Sequence, residues 1–239
     1  IHYASLEARR RIMRLERTEP PLTYSELARF HFPLTASTMV TLSGLPLVGA
    51  ALAQLPNPVD QMAGWQAALS AAFCFRTSTF AIPEVVVTLA DSPAHARTLR
   101  RFSLGVGGVL TAAMLVTAAL GLDRVFFNTV LDGNEGPVRA ATTAFLFSAP
   151  LPILSAAANY IRGRLTRAKL TVARLWAIGI GITMMWLTLR IGVEMKATGA
   201  ILAPVALSAG ALGELLYLSW AWYRADERRS APAVAELAV

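Results

Sequence analysis

The sequence is poor in charge, cysteine and histidine. Only 15% of its 239 residues are Asp, Glu, Lys or Arg, against about 25% in an average soluble domain. Cys74 is the single cysteine, which excludes an intramolecular disulfide. The histidines His2, His31 and His95 have no paired acids at metal-ligand spacing, and no Ser-His-Asp or Cys-His constellation occurs. We therefore expect a protein that is not an enzyme and that uses neither a metal nor a cofactor.

The sequence is rich instead in long apolar runs, and 55% of its residues are hydrophobic. Each run has about 20 residues or more, enough for a helix to cross a hydrocarbon core about 30 Å thick. The runs lie at 31–55, 62–90, 102–122, 140–161, 170–193 and 198–223. This pattern predicts an all-α integral membrane protein with six transmembrane helices.

The basic residues alternate between the segments that separate these runs. When Arg174 and Arg190, near the ends of the fifth run, are counted with the segments next to them, 17 of the 22 Lys and Arg residues fall in one alternating set of segments and four in the other, and the last is Arg76. The positive-inside rule produces this pattern, so both termini are expected in the cytoplasm. We expect the plasma (inner) membrane of a bacterium as the location. The formal net charge of +7 then indicates contact with anionic lipid headgroups of the bilayer, and no nucleic acid partner.

The chain is predicted to have three parts. Residues 1–28 form a cytoplasmic amphipathic and basic segment, with an arginine-rich helix over Ser5–Thr18. Residues 29–223 form the six-helix bundle, and residues 224–239 form a cytoplasmic tail. The sequence begins at Ile1 instead of Met, which indicates either processing or a piece of a longer protein.

Three ionisable residues are predicted well within the runs: Arg76, Glu84 and Glu214. A charge at the bilayer centre costs about 2.5–3.5 kcal/mol on insertion scales, so such residues usually face a partner or a wet cavity. One interpretation makes the carboxylates proton or cation carriers and Arg76 an anion-attracting group. The other makes Arg76 and Glu214 a structural ion pair, with Glu84 extending toward the inner surface. Asn159, near the inner end of the fourth run, is the remaining candidate for substrate or ion binding.

Two short motifs carry a family resemblance. The first run opens with Phe30, Pro33 and Leu34 at Phe-x-x-Pro-Leu spacing, and the fourth run ends in Asn159-Tyr160-Ile161-Arg162-Gly163-x-Leu165. Over about residues 25–223 the chain resembles one six-helix half of the multidrug/oligosaccharidyl-lipid/polysaccharide exporter (MATE-like) superfamily, and is most similar to progressive-ankylosis-type members.

This resemblance implies a secondary active transporter or flippase that works by alternating access. The partners it implies are a proton or sodium as coupling ion, a small anionic or lipid-linked substrate such as pyrophosphate, and a second six-helix bundle in cis or in a homodimer. An alternative from another class is a non-transporting membrane scaffold or assembly subunit that recruits partners through its basic inner face.

Overall fold

The structure is a computed structural model that describes residues 23–236, with side chains described up to residue 226 except for six between residues 26 and 37. The predicted helix at Ser5–Thr18 lies outside the described residues, and so do the side chains of Phe30, Pro33 and Leu34. The chain divides into two units, Ile1–Phe32 and Pro33–Val239. The bundle, with its core, cavities and polar network, belongs to the second unit.

The described chain is all-helical, with no strand between residues 23 and 236, as the sequence predicts. In chain order the helices are α1 Tyr24–Leu42, α2 Gly44–Leu52, α3 Pro58–Arg76, a 3-10 helix Thr77–Ala81, α4 Ile82–Leu89, α5 Pro93–Ala119, α6 Leu122–Val130, α7 Glu135–Phe147, α8 Leu151–Arg167, α9 Thr171–Glu194 and α10 Gly199–Glu236.

Four described helices are long and apolar enough to cross a membrane: Pro58–Leu89, Pro93–Ala119, Thr171–Glu194 and Gly199–Asp226. Helices α7 and α8 together make a fifth, bent by 44°. Between 17% and 39% of each apolar window in the four is buried, so most of their apolar surface faces outward, as it does in a membrane protein. The sequence predicts a sixth span at 31–55; over that range α1 is followed by α2 with only Ser43 between them, and the apolar part that the structure describes is Thr38–Leu52.

Prolines explain why two of the spans are interrupted. In the first, α3 ends at Arg76 and the chain tightens into the 3-10 helix before α4 begins. Pro83 has no N–H to donate to the carbonyl oxygen of Thr79, four residues earlier, so the regular helix cannot continue there. In the second, Pro150 and Pro152 stand at the bend between α7 and α8.

The last helix is longer than the sequence predicts. The tail was expected to begin at residue 224, yet α10 continues to Glu236. Residues 224–229 are Arg, Ala, Asp and Glu with neither Gly nor Pro among them, so no stop signal ends the helix at residue 224.

Helices α9 and α10 are joined by residues 195–198 and cross at two glycines. A Cβ atom on Gly181 would lie 2.9 Å from the backbone oxygen of Gly210, and a Cβ atom on Gly210 would lie 2.8 Å from that of Gly181. Only glycine allows so close an approach, as at other membrane helix crossings. The ideal Cβ position on Gly181 is also 3.2 Å from the Cβ atom of Glu214, so Glu214 lies beside the backbone of α9.

The bundle has two ends of different character. We call the end that contains residues 90–92 and 168–170 the basic end, and the end that contains residues 53–57, 131–134 and 195–198 the far end. Toward the far end lies the main apolar core, built around the buried rings of Trp65, Phe127 and Phe145. Phe127 and Phe145 meet edge to face with their centroids 5.9 Å apart.

Candidate functional site

Helix α8 presents a polar face to the interior of the bundle. Ser155, Asn159 and Arg162 are spaced at i, i+4 and i+7, so they lie on one face of the helix. Ser155 is 7% and Asn159 2% exposed. Buried polar groups of this kind are costly unless they are hydrogen-bonded. All three side chains have partners from other elements or from one another.

Arg162 forms a buried, bidentate ion pair with Glu214 of α10. Its Nε donates to Oε1 of Glu214 at 2.7 Å, and its Nη2 donates to Oε2 at 2.5 Å. Its Nη1 donates to Oδ1 of Asn159 at 2.9 Å. The side chains of Arg162 and Glu214 are 21% and 11% exposed, so water screens the pair weakly. Two parallel charge-assisted hydrogen bonds of this geometry are among the stronger polar contacts in proteins.

Asn159 connects this ion pair to the interrupted span. Its Nδ2 donates to the backbone oxygen of Thr79 at 2.9 Å, the carbonyl that Pro83 leaves without its usual helical partner. The hydroxyl of Thr79 donates in turn to the backbone oxygen of Arg76 at 2.7 Å. The 3-10 helix is thus anchored to the polar face of α8.

Arg76, the basic residue that topology leaves unexplained, joins the same network. Its Nε donates to the hydroxyl of Ser155 at 3.1 Å, and its guanidinium lies 5.8 Å from the centroid of the Phe80 ring. Its charge interacts unfavourably with that of Arg162. Neither of these contacts of Arg76 is with a carboxylate, and Arg76 forms no ion pair with any residue of the described bundle.

Arg174, near the start of α9, is the third cation of this region. Its Nε is buried and has no hydrogen-bond partner among the described residues. Its charge interacts with those of both Arg162 and Glu214. We call Arg76, Arg162, Arg174 and Glu214 the charged cluster. It contains three guanidinium groups and one carboxylate.

The structure brings together three of the four residues predicted from the sequence. Arg76, Asn159 and Glu214 belong to one network, whereas Glu84 lies exposed on α4 and forms no ion pair within the described part of the chain. The structural pair considered for Arg76 and Glu214 is not formed, because Arg162 occupies both carboxylate oxygens of Glu214.

Sequence analysis missed Arg162 and Arg174 by assigning both to the cytoplasmic link. The apolar run ends at residue 161, but the helix continues through it to Arg167 and carries Arg162 inward. Two signals in the sequence could have identified this site. Ser155, Asn159 and Arg162 repeat at helical spacing, and Pro83 removes the α-helical donor of the Thr79 carbonyl, which then accepts from the N–H of Ile82 and can also accept from a polar side chain.

In the part of the chain that the structure describes, a cavity opens at each end of the bundle. The cavity at the basic end has a volume of 1010 Å³, and residues of three segments line it, between residues 90 and 104, 157 and 168, and 215 and 226, although not every residue of these ranges does. The cavity at the far end has a volume of 800 Å³ and is lined by residues 118–146. The grouping of segments at each end agrees with the predicted alternation.

The sequence predicts no acid paired with His95, and the structure corrects this with an exposed pair outside the spans. Nδ1 of His95 lies 2.5 Å from Oδ1 of Asp91, at the N-terminus of α5. This hydrogen bond from His95 holds the pKa of the Asp91 carboxyl below its usual value. Asp91 therefore stays ionised at neutral pH.

Within residues 23–226, no group of three or more His, Cys, Asp or Glu side chains is arranged to hold a metal ion. Compared with known proteins, the chain matches no family model, no curated protein sequence and no solved structure. The candidate function therefore rests on the geometry of the charged cluster.

Proposed function

We propose that the protein is a secondary active transporter or flippase that works by alternating access and exports a small anionic or lipid-linked substrate. In this proposal the charged cluster is where the anionic group of the substrate binds. The observation that carries it is the excess of positive charge: three half-buried arginines belong to the charged cluster and only one carboxylate does.

A purely structural role accounts for only part of this cluster. Arg162 and Glu214 would suffice as an ion pair between α8 and α10. Arg76 and Arg174 add two positive charges that no carboxylate in the described bundle pairs with, and each costs desolvation energy. A transported anion would supply the missing negative charge. Arginine suits this task because its guanidinium presents a fork of donors to phosphate or carboxylate oxygens.

The interrupted helices support a moving part at the same place. The 3-10 helix adjoins Arg76, and the bend at Pro150 precedes the polar face of α8. Transporters commonly place substrate and ion sites at such discontinuous helices, since backbone groups freed there can serve ligands. Glu214 is the group that we assign to the coupling ion, a proton or sodium, because neutralising it would free Arg162 for the anion.

The wider architecture of the proposal follows the sequence. In this proposal the protein is a six-span, MATE-like half-bundle that works with a second six-helix bundle, in cis or in a homodimer. It lies in the bacterial inner membrane with both termini in the cytoplasm. Four long apolar helices and the bent pair α7–α8 supply five of the six spans. The sixth would need the helix at Thr38–Leu52 together with the residues that precede it.

Anion efflux from vesicles containing the reconstituted protein tests this proposal. Proteoliposomes loaded with radiolabelled pyrophosphate, or with phosphate, are given a proton or a sodium gradient. We expect faster efflux than from loaded liposomes without protein. In Arg76→Gln the efflux rate should fall by at least about tenfold, since a charged hydrogen-bond donor to the anion is removed.

The matched control for this variant is Arg190→Gln. Arg190 is also on a span, but its side chain is 59% exposed and its partner Glu194 is 3.5 Å away at the surface. Equal efflux by Arg76→Gln and Arg190→Gln, in protein that elutes normally from size-exclusion chromatography, would contradict the assigned site.

The scaffold hypothesis is the other outcome of this assay. It is favoured by the arginines around the basic end, among them Arg97, Arg100 and Arg167. If neither anion moves with either gradient while a partner protein stays bound, the scaffold hypothesis replaces transport.

A further inference from the structure

A groove on the outer side of α8 is separate from the charged cluster. It is the 1010 Å³ cavity at the basic end, and its walls are α5 and α10, both of which pack against α8 as its floor. Tyr160 and Arg164 line it, and at 100° per residue they lie on the face of α8 opposite Ser155 and Asn159. We call this cavity the α5–α10 groove.

The mouth of the groove is basic. Four arginines line it, Arg97, Arg100, Arg164 and Arg167, against two acids, Asp91 and Asp226. The carboxylate of Asp91 is engaged by His95. The mouth therefore carries a net positive charge, and it lies at the N-terminus of α5, whose dipole also favours an anion.

Arg164 is held in place by aromatic side chains. Its Nη1 contacts the hydroxyl of Tyr160 at 3.1 Å, and its guanidinium lies 4.3 Å from the centroid of the Trp222 ring. The Tyr160 hydroxyl donates to the backbone oxygen of Ala96 at 2.9 Å, which ties the group to α5. A guanidinium fixed in this way loses less entropy when it binds an anion.

Arg100 has different surroundings from Arg164, but its guanidinium is also available to bind an anion. It is exposed, lines the groove, and makes no hydrogen bond or ion pair with any described residue. Arg101, its neighbour in sequence, is exposed as well but does not line the groove. The two residues share a helix and a charge, and differ in the side of α5 on which they lie.

The inner wall of the groove is apolar. Leu104 lies one turn from Arg100 toward the middle of α5, and Leu215 and Leu216 lie about two turns from Trp222 toward the middle of α10. Leu216 is 62% exposed. A ligand in the groove thus meets positive charge at the level of the membrane surface and apolar side chains at the level of the acyl chains.

We infer that the α5–α10 groove binds a phospholipid of the surrounding bilayer whose headgroup is anionic, with its phosphate at Arg100 and Arg164 and an acyl chain along Leu104 and Leu216. Basic pockets between transmembrane helices on the cytoplasmic side are known to bind such headgroups. The apolar wall favours a lipid over a free phosphate ion, which gains nothing from it. This inference does not depend on transport, because the groove and the charged cluster lie on opposite faces of α8.

Native mass spectrometry of the purified protein tests this site. The protein is titrated with phosphatidylglycerol and, separately, with phosphatidylcholine of the same acyl chains. We expect phosphatidylglycerol to bind at least about tenfold more tightly, because each arginine near an anionic headgroup adds roughly 1 kcal/mol. Addition of inorganic phosphate in excess should displace little of the bound lipid.

Two variants and a control locate the binding. Arg100→Gln, at an exposed residue without partners, should reduce the preference for phosphatidylglycerol about fivefold without affecting the fold. The double variant Arg100→Gln/Arg164→Gln should remove the preference, whereas Arg101→Gln should keep it. Equal binding of the two lipids, equal loss in Arg100→Gln and Arg101→Gln, or full displacement by inorganic phosphate would each overturn the inference.

Discussion

The half of the bundle toward the far end, the far half, and the half toward the basic end, the charged half, differ in the composition of their interiors, although the same helices build both. Toward the far end, α3 buries Trp65, α7 buries Phe145 and α9 buries Met185 in one apolar core. Toward the basic end, the same chain segments, with α8 continuing α7, carry Arg76, Arg162 and Arg174. The change falls where prolines interrupt α3–α4 and α7–α8.

This difference distinguishes the side chains that stabilise the fold from those that the stability of the fold does not require. Ring and methyl groups that pack in the far half gain dispersion energy at little polar cost. The charged half holds two arginines in excess of its one carboxylate, which lowers stability relative to apolar side chains of similar size. Groups that cost stability and yet occupy a buried site are the strongest candidates for function.

The largest effect is expected from Glu214→Gln. The substitution leaves Arg162 buried with no carboxylate and adds to the excess of positive charge, so the free energy of unfolding should fall by about 3–5 kcal/mol. Denaturant titration of the purified protein measures this. The control is Glu194→Gln, which breaks an exposed pair at 3.5 Å and should cost about 0–1 kcal/mol. Similar losses of stability in both variants would show that the carboxylate in the charged half contributes no more to stability than one at the surface.

A double variant sharpens this result. Arg162→Met/Glu214→Met replaces the ion pair by apolar side chains of comparable size and should recover most of the stability that Glu214→Gln loses. Anion efflux should be absent from the double variant, because the site has lost both Arg162, which binds the anion, and Glu214, which is assigned to the coupling ion. Efflux at the normal rate in the double variant would show that the pair serves the fold alone.

In the far half, Phe127→Ala should cost about 3 kcal/mol by leaving a cavity beside Phe145. Anion efflux per folded molecule should not change, since Phe127 is remote from the charged cluster. The adjacent Phe126 is 51% exposed, and Phe126→Ala should change stability by about 0.5 kcal/mol or less. Loss of efflux in folded Phe127→Ala would contradict this prediction and show that the two halves are functionally coupled.

A smaller effect is expected at Gly163, where α8 meets α4. A Cβ atom there would lie 2.7 Å from Cβ of Val86 and 2.9 Å from the backbone oxygen of Pro83. Gly163→Ala should therefore cost about 1–3 kcal/mol through overpacking. Gly108→Ala, where the added atom meets nothing within 4 Å, should not lower the thermal midpoint. A stable Gly163→Ala protein would show that α4 moves freely against α8.

The smallest effect is expected from Glu84→Gln. Glu84 is exposed on α4 and has no ion pair in the described bundle, so stability should change by about 0.5 kcal/mol or less. Anion efflux should also be unchanged, because the residue lies outside the charged cluster. A large loss of efflux would move the coupling role from Glu214 to Glu84.

The helical class and most of the spans were accessible from the sequence because apolar run length maps directly onto membrane thickness. Arg76, Asn159 and Glu214 were accessible because polar residues stand out in such runs. Arg162 and Arg174 could not be identified in this way, since the residue at which an apolar run ends (161) or begins (170) does not indicate how deep a long side chain nearby reaches. The pairing of Glu214 with Arg162 depends on how α8 and α10 rotate against each other, which only tertiary packing decides.

The most direct test of the charged cluster as an anion site is efflux of radiolabelled pyrophosphate by Arg174→Gln, measured beside its denaturation midpoint. Arg174 makes no ion pair or hydrogen bond with a described residue, and its Nε is buried. Removing its charge should leave stability equal or higher, while efflux falls by at least about tenfold. Normal efflux by a folded Arg174→Gln protein, or a large loss of stability, would contradict the claim that this charge is present for an anion.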